Sequence, residues 1–255
     1  MSVGDLVFTH RTKRILPARR ALEAVESVPQ MKLQYLGDSK DCFKWDYHHF
    51  LADALGAEQL QVVWMMTPDD GSTHGSTPPD RFPARPEVLA LCRDLRTTRN
   101  PERLLTLPQL MGARYAMTFR DPAGGPGSGS RGLEPALLER FGLCPAPRSV
   151  ILLDPDNGFE PERNPTSRHL RYADLGALVG RLPDSSLITV FQHFRRRAFT
   201  ADLARIRERL HGGHSTALYW QSVMFVAIAS SSARIEEVRL INQRYASVRP
   251  ASVIA

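Results

Sequence analysis

The chain has 255 residues, 42% of them hydrophobic and 24% charged, with a formal net charge of +6 and a sequence pI near 9.5. This is the composition of a globular domain with an appendage at most; no apolar run approaches the roughly 18 residues a membrane span needs, and residues 1–30 lack the apolar core of a secretory signal. Three scattered cysteines, Cys42, Cys92 and Cys144, suit neither a disulfide framework nor a zinc site, so a cytoplasmic protein is expected, and its basic balance favours nucleic acid as partner over any membrane.

Residues 1–30 read as an N-terminal appendage, with Met31 an alternative start, and 31–255 as one α/β domain. Over 38–55 the spacing of Phe43, Tyr47, Phe50, Leu51 and Ala54 predicts a helix stopped by Gly56. The opposite face of that helix carries Asp41, Lys44 and His48; taken alone it reads as a solvated face with an i, i+3 ion pair. The retention of lysine in an arginine-rich chain predicts instead that Asp41 and Lys44 face a pocket bounded by Asp154, with replacement of Lys44 abolishing small-ligand binding and leaving the melting temperature nearly unchanged. A buried strand follows over 61–66, then a polar segment over 71–85, a helix over 85–96 and a strand over 114–119. Residues 121–132 are rich in Gly, Ser and Pro and predict a flexible loop, before a short helix over 133–141.

The apolar run 149–153 predicts a buried strand closed by the turn residues Asp154-Pro-Asp-Asn-Gly158. A helix is expected over 168–182, a strand over 187–191 ended by Gln192 and His193, and a helix over 199–210. A closing strand pair follows over 217–221 and 224–229, and 235–245 forms a last helix or strand. Continuous apolar strands separated by helices imply a doubly wound, mostly parallel sheet covered on both faces, with a C-terminal antiparallel strand pair.

Only four lysines occur among the 33 basic residues: Lys13, Lys32, Lys40 and Lys44. Two of them stand in the segment 35–46, which marks it as a place where a compact ammonium is needed and a planar guanidinium will not serve. Ligands of open α/β sheets bind beyond the carboxyl ends of the strands. Asp154, His193, Asp69 and Asp70 all follow strands and are expected at one edge.

The ordered set Tyr-x-Gly-Asp-x-x-Asp-x-x-Lys over 35–44, the Val-Val-Trp strand, Asp-Pro-Asp-Asn-Gly158 and the later Gln-His resembles a bacterial family marked by that Asp-Pro-Asp-Asn-Gly signature. More distantly it is similar to the ribosomal-RNA adenine-N6 methyltransferases. The resemblance implies a Rossmann-like fold of methyltransferase type and S-adenosylmethionine as cofactor, beside Gly37, Asp38, Asp41, Lys44, Asp69 and Asp70. It further implies that Asp154 and the Pro155 carbonyl orient the target amino group, with His193 nearby, and that the arginines 195–197 hold phosphates. The chain departs from the methyltransferases at two places. Asn157 stands where they have a base-stacking aromatic residue, and the stretch after the first strand has no compact glycine-rich loop.

Two other readings fit the same residues. Asp38, Asp41, Asp154, Asp156 and Glu160 are hard oxygen ligands of the kind a Mg²⁺-dependent nuclease or phosphoesterase uses. A non-catalytic nucleic-acid-binding, defence-associated protein on a methyltransferase scaffold accounts for the two departures.

Overall fold

The structure, a computed structural model, describes residues 35–65, 77–120, 143, 146–166 and 168–255. The appendage over 1–30, Asp69, Asp70, the loop near 121–132, the helix over 133–141 and Cys144 lie outside the described residues. Seven strands and six α-helices are found among them. The helices are α1 (Ser39–Ala54), α2 (Pro86–Thr98), α3 (Leu107–Leu110), α4 (Tyr172–Val179), α5 (Phe199–Arg209) and α6 (Ser232–Ala246). The strands are β1 (Gln59–Met65), β2 (Ala116–Arg120), β3 (Ser149–Pro155), β4 (Leu187–His193), β5 (His214–Trp220), β6 (Val223–Ala229) and β7 (Ser252–Ile254), in the order β2-β1-β3-β4-β6-β5-β7.

β1 to β4 pair in parallel, and Leu153 lies opposite Val190 on neighbouring strands. β6 enters antiparallel between β4 and β5, and β7 adds a further antiparallel pairing on β5. Three of the six pairings are therefore antiparallel, and the sheet is mixed where a mostly parallel one was expected. β7 was missed because three residues, Ser252–Ile254, carry too little periodicity to register as a strand.

The strands read as continuous apolar runs because both faces are covered. Val150 and Leu152 of β3, with Leu187 and Phe191 of β4, face the core beneath α1, α2 and α6. Ile151, Leu153, Ile188 and Val190 face the core beneath α4 and α5. This alternation is the period-2 rule of a pleated strand, and it fixes which residues can meet at the site.

The carboxylate of Asp38 caps α1 by accepting the N–H groups of Lys40 at 2.8 Å and Asp41 at 2.9 Å. Gly56, at φ +57°, ends it. The face of α1 that carries Asp41, Lys44 and His48 is not a solvated one: His48 is as fully buried as Phe43 and Tyr47, and Asp41 and Lys44 are nearly so and face Asp154 as expected. The helix is wedged between the sheet, α2 and α6, so water reaches almost none of it. Asp46 is wholly buried and is shared by Arg85 at 2.7 Å, Arg249 at 3.1 Å and the Tyr245 hydroxyl at 2.8 Å, which ties α1 to both neighbouring helices. That charge is compensated on three sides, the condition for keeping a buried carboxylate.

The helix expected over 168–182 begins only at Tyr172. Residues before it are drawn into a bridge with the loop after β3, where Leu170 donates to the Gly158 carbonyl at 2.9 Å and Glu160 donates to Leu170 at 2.9 Å. Among the described residues no helix is long and apolar enough to cross a membrane.

Candidate functional site

The strand order reverses between β1 and β3, with β2 on one side and β4 on the other. Such a switch point leaves a crevice at the carboxyl ends of the strands. β3 runs on through Pro155, which pairs with Met65, so Asp154 is a strand residue opposite Trp64. The turn expected to start at Asp154 is displaced by one residue and closes from the Gly158 N–H to the Pro155 carbonyl at 3.3 Å. That carbonyl is thus partly engaged by the turn, although its second lone pair has no bond in the turn.

Asp154 shares the parity of Val150 and Leu152, which aims it toward α1. There its Oδ2 accepts from Lys44 Nζ at 2.8 Å, while Asp41 Oδ1 lies 3.1 Å from the same ammonium. Asp41 also accepts the Gly37 N–H at 2.8 Å. Gly37 itself must be glycine: its φ is +75°, and a Cβ would stand 2.2 Å from the Cys92 carbonyl oxygen. The rings of Trp45 and Phe191 flank the ammonium, each with its centroid at 5.4 Å.

Burial opposes the charge on Lys44, yet Asp154 and Asp41 more than reverse this and hold its pKa well above the ordinary lysine value. Burial raises the Asp154 carboxyl above the usual carboxylate range, with Lys44 pulling the other way. Asp38 is pushed up to about 6, by burial first and the neighbouring Asp41 charge second.

His193 has the parity of Leu187 and Phe191 and so lies on the Asp154 side of the sheet, its ring edge-on to Phe191 at 4.5 Å. Burial, with Lys40, lowers its pKa to about 4, so it is neutral at physiological pH. His48 lies deeper. Its Nδ1 donates to the Lys44 carbonyl at 2.7 Å, which leaves Nε2 to accept the Thr189 hydroxyl at 2.8 Å. Burial lowers its pKa to about 3, and it supports the helix from below.

The structure therefore brings Gly37, Asp38, Asp41, Lys44, Asp154, Pro155 and His193 to one region at the carboxyl edge of the sheet. Asp38 and Gly37 have structural work there as helix cap and close-approach glycine. Two placements that shape the site's turn escaped the sequence. Gln192 points to the opposite face from His193, where it accepts the Phe159 N–H at 2.9 Å and donates to Asp202 at 2.7 Å. A Cβ on Gly158, at φ +73°, would stand 2.0 Å from that same Gln192 oxygen, so the last residue of the Asp-Pro-Asp-Asn-Gly turn is fixed by the first residue of the Gln-His pair. Strand parity carried the signal.

Arg195 is the second. Its Nη2 donates to the Asn157 carbonyl at 2.6 Å and also to the Phe159 carbonyl. It is a clamp on the turn backbone, which corrects its assignment to phosphate binding. Arg196 and Arg197 remain exposed.

Two solved structures are similar to the chain. A DUF574 family protein from Streptomyces avermitilis is 11% identical, with 74% of this chain and 82% of that one covered at a TM-score of 0.33. Protein LPL1258 from Legionella pneumophila, of family DUF519, is 11% identical, with 89% and 97% covered at a TM-score of 0.32. No family model matches the chain, and no curated protein matches it. The reading of the site rests on its own residues.

Proposed function

We propose that the chain is an S-adenosylmethionine-dependent methyltransferase-like protein acting on nucleic acid, with its site at the β1/β3 switch point. The observation that carries this reading is the Lys44–Asp154 charge pair, supported by Asp41, at the carboxyl end of β3. The donor set fits such a cofactor. Lys44 has three N–H groups and its two carboxylates account for two, leaving one for the cofactor's carboxylate. Asp38, Asp41 and Asp154 outnumber the two ammonium groups beside them, Lys44 and Lys40, so the surroundings favour a cationic ligand. When bound, S-adenosylmethionine supplies an electrophilic methyl group on a sulfonium.

In this reading Asp154 accepts a hydrogen bond from the target amino group, and the Pro155 carbonyl offers a second acceptor to orient its lone pair. His193, neutral at physiological pH, offers a ring nitrogen as a hydrogen-bond acceptor near the same edge. Positioning and electrostatics do the rest, and the target base has to be unpaired or flipped out. The Mg²⁺ reading is less well served. A divalent cation between Asp41 and Asp154 would have to displace the Lys44 ammonium that already lies 3.1 and 2.8 Å from them.

Titration calorimetry with S-adenosylmethionine and, separately, MgCl₂ on the parent and on Asp154→Asn separates the readings. Asn still accepts from Lys44 through one oxygen, so the fold is retained. Methyl transfer to single-stranded RNA or DNA is expected to fall roughly 100-fold or more, the scale of losing one placed electrostatic contact. Binding of Mg²⁺ but not S-adenosylmethionine would turn the assignment to the phosphoesterase. Nucleic-acid binding with no response to either ligand would turn it to the non-catalytic reading.

A further inference from the structure

We infer that the segment immediately after β4 is a docking surface for single-stranded nucleic acid, with Phe194 stacking on an unpaired base and Arg196 and Arg197 taking the flanking phosphates. This deepens the proposed function and rests on its nucleic-acid reading.

Large hydrophobic side chains left exposed among the described residues include one aromatic, Phe194, half exposed at 50%. It directly follows His193 at the edge where Asp154 emerges. Its N–H donates to the Ser222 carbonyl at 2.9 Å in the turn between β5 and β6, and its ring stands at 79° to Phe199 with centroids 5.8 Å apart. The ring is thus held on its protein side and open on the other.

The next residue turns inward: Arg195 is spent on the carbonyls of Asn157 and Phe159. Arg196 takes the left-handed conformation at φ +57°, and Arg196 and Arg197 both stay exposed with no carboxylate partner among the described residues. Two exposed guanidinium groups next to an open aromatic face, braced by neighbouring hydrogen bonds, match the combination that binds single strands: phosphate-neutralising charge and a stacking platform. A duplex keeps its base faces stacked internally and cannot use Phe194. The site at Asp154 likewise takes a base that has left its helix. The aromatic residue absent from position 157 is therefore supplied for neighbouring nucleotides from the adjoining strand.

The test is fluorescence anisotropy of the full chain with a labelled mixed-sequence single-stranded RNA of about 12 nucleotides and with its duplex, across a KCl series. Parent, Phe194→Ala and the double variant Arg196→Gln, Arg197→Gln are compared, all altered at exposed side chains that leave the core intact. The parent is expected to prefer the single strand. Phe194→Ala should weaken that binding roughly 5- to 100-fold, the effect of one lost stack, and erase most of the preference over duplex. The double variant should make the slope of log K against log salt shallower by about 1.4, as two lost phosphate contacts require. If the parent binds and both variants match it, the surface is wrong while the nucleic-acid reading survives. If the parent binds neither oligonucleotide even at low salt, that reading fails and the surface with it. Displacement of the RNA by polyglutamate with equal potency, with Phe194→Ala indistinguishable from the parent, would overturn the proposal in favour of an acidic protein partner.

Discussion

Lys44→Met keeps the aliphatic stem of Lys44 and removes its charge. Asp41 and Asp154 are then left at the end of a buried strand and helix with no cation between them. Breaking a buried pair by deleting one partner costs about 3–5 kcal/mol. The side chains of Asp41 and Asp154 keep 11% and 15% of their surface in water, which favours the lower end, about 3 kcal/mol. At ~2–4 °C per kcal/mol for a chain of this size, the melting temperature should fall by about 6–12 °C at pH 7.5. The pH dependence follows from the sign of the shift. Burial already raises the Asp154 carboxyl with Lys44 opposing it; without Lys44 it rises further. An acid whose pKa is higher folded than unfolded destabilises above its folded value, and the penalty disappears as protons bind. The deficit should therefore shrink between pH 7.5 and pH 5. Circular-dichroism melts of parent and variant at both pH values measure it. A shift under about 2 °C at pH 7.5, or an equal deficit at both, would refute the buried charge triad and restore the solvated-face reading.

Gln192→Ala should destabilise by roughly 2–3 kcal/mol, since it strands the Phe159 N–H and one side of the buried Asp202. Gly158→Ala should cost a similar amount alone and distinctly less in the Gln192→Ala background, because the oxygen it strikes is gone; strictly additive denaturant midpoints would contradict this coupling. For His48, with its folded pKa near 3, the unfolded chain takes up the proton first, so stability is lost as pH falls from about 6.5 toward 3, by up to about 1.4 kcal/mol per unit. His48→Gln removes that contribution, and the stability gap between parent and variant should narrow from pH 7 to pH 4; a constant gap in urea titrations would mean that His48 does not titrate with unfolding.

The strands and most helices were legible because each apolar run is long enough to have a period, and β3 and β4 gave the edge at which Asp154 and His193 emerge. The meeting of Lys44 with Asp154 follows from two local rules taken together, the i, i+3 spacing of α1 and the alternation of β3. What periodicity could not show was which surroundings each face would meet. By helix periodicity alone Asp41, Lys44 and His48 look like a wet face; the retained lysine pointed instead to the Asp154 pocket, but not to how completely α2, α6 and the sheet, arriving from distant parts of the chain, make that face dry. Arg195 was misread for a related reason. An arginine among arginines suggests a surface charge, yet its partners are the carbonyls of Asn157 and Phe159, which no side-chain pattern announces. The shortened α4 has the same origin, since Leu170 bonds to Gly158 across a loop rather than along a helix.

The buried carboxylate of Asp46 has a consequence for synthesis on the ribosome. Its partners Tyr245 and Arg249 lie 199 and 203 residues further on, and Tyr47 bonds to Asn242 across 195. The helix that carries Lys44 is docked by a segment translated about 200 residues after it. At about 5–20 residues per second it waits on the order of 10–40 s for α6 to leave the exit tunnel. Through that interval the nascent chain holds α1 with Asp46 met by Arg85 but not yet by Tyr245 or Arg249. A nonsense codon between His193 and Tyr245 would yield a chain with every described residue of the candidate site present, yet without the Tyr245 and Arg249 contacts that hold Asp46 and its helix.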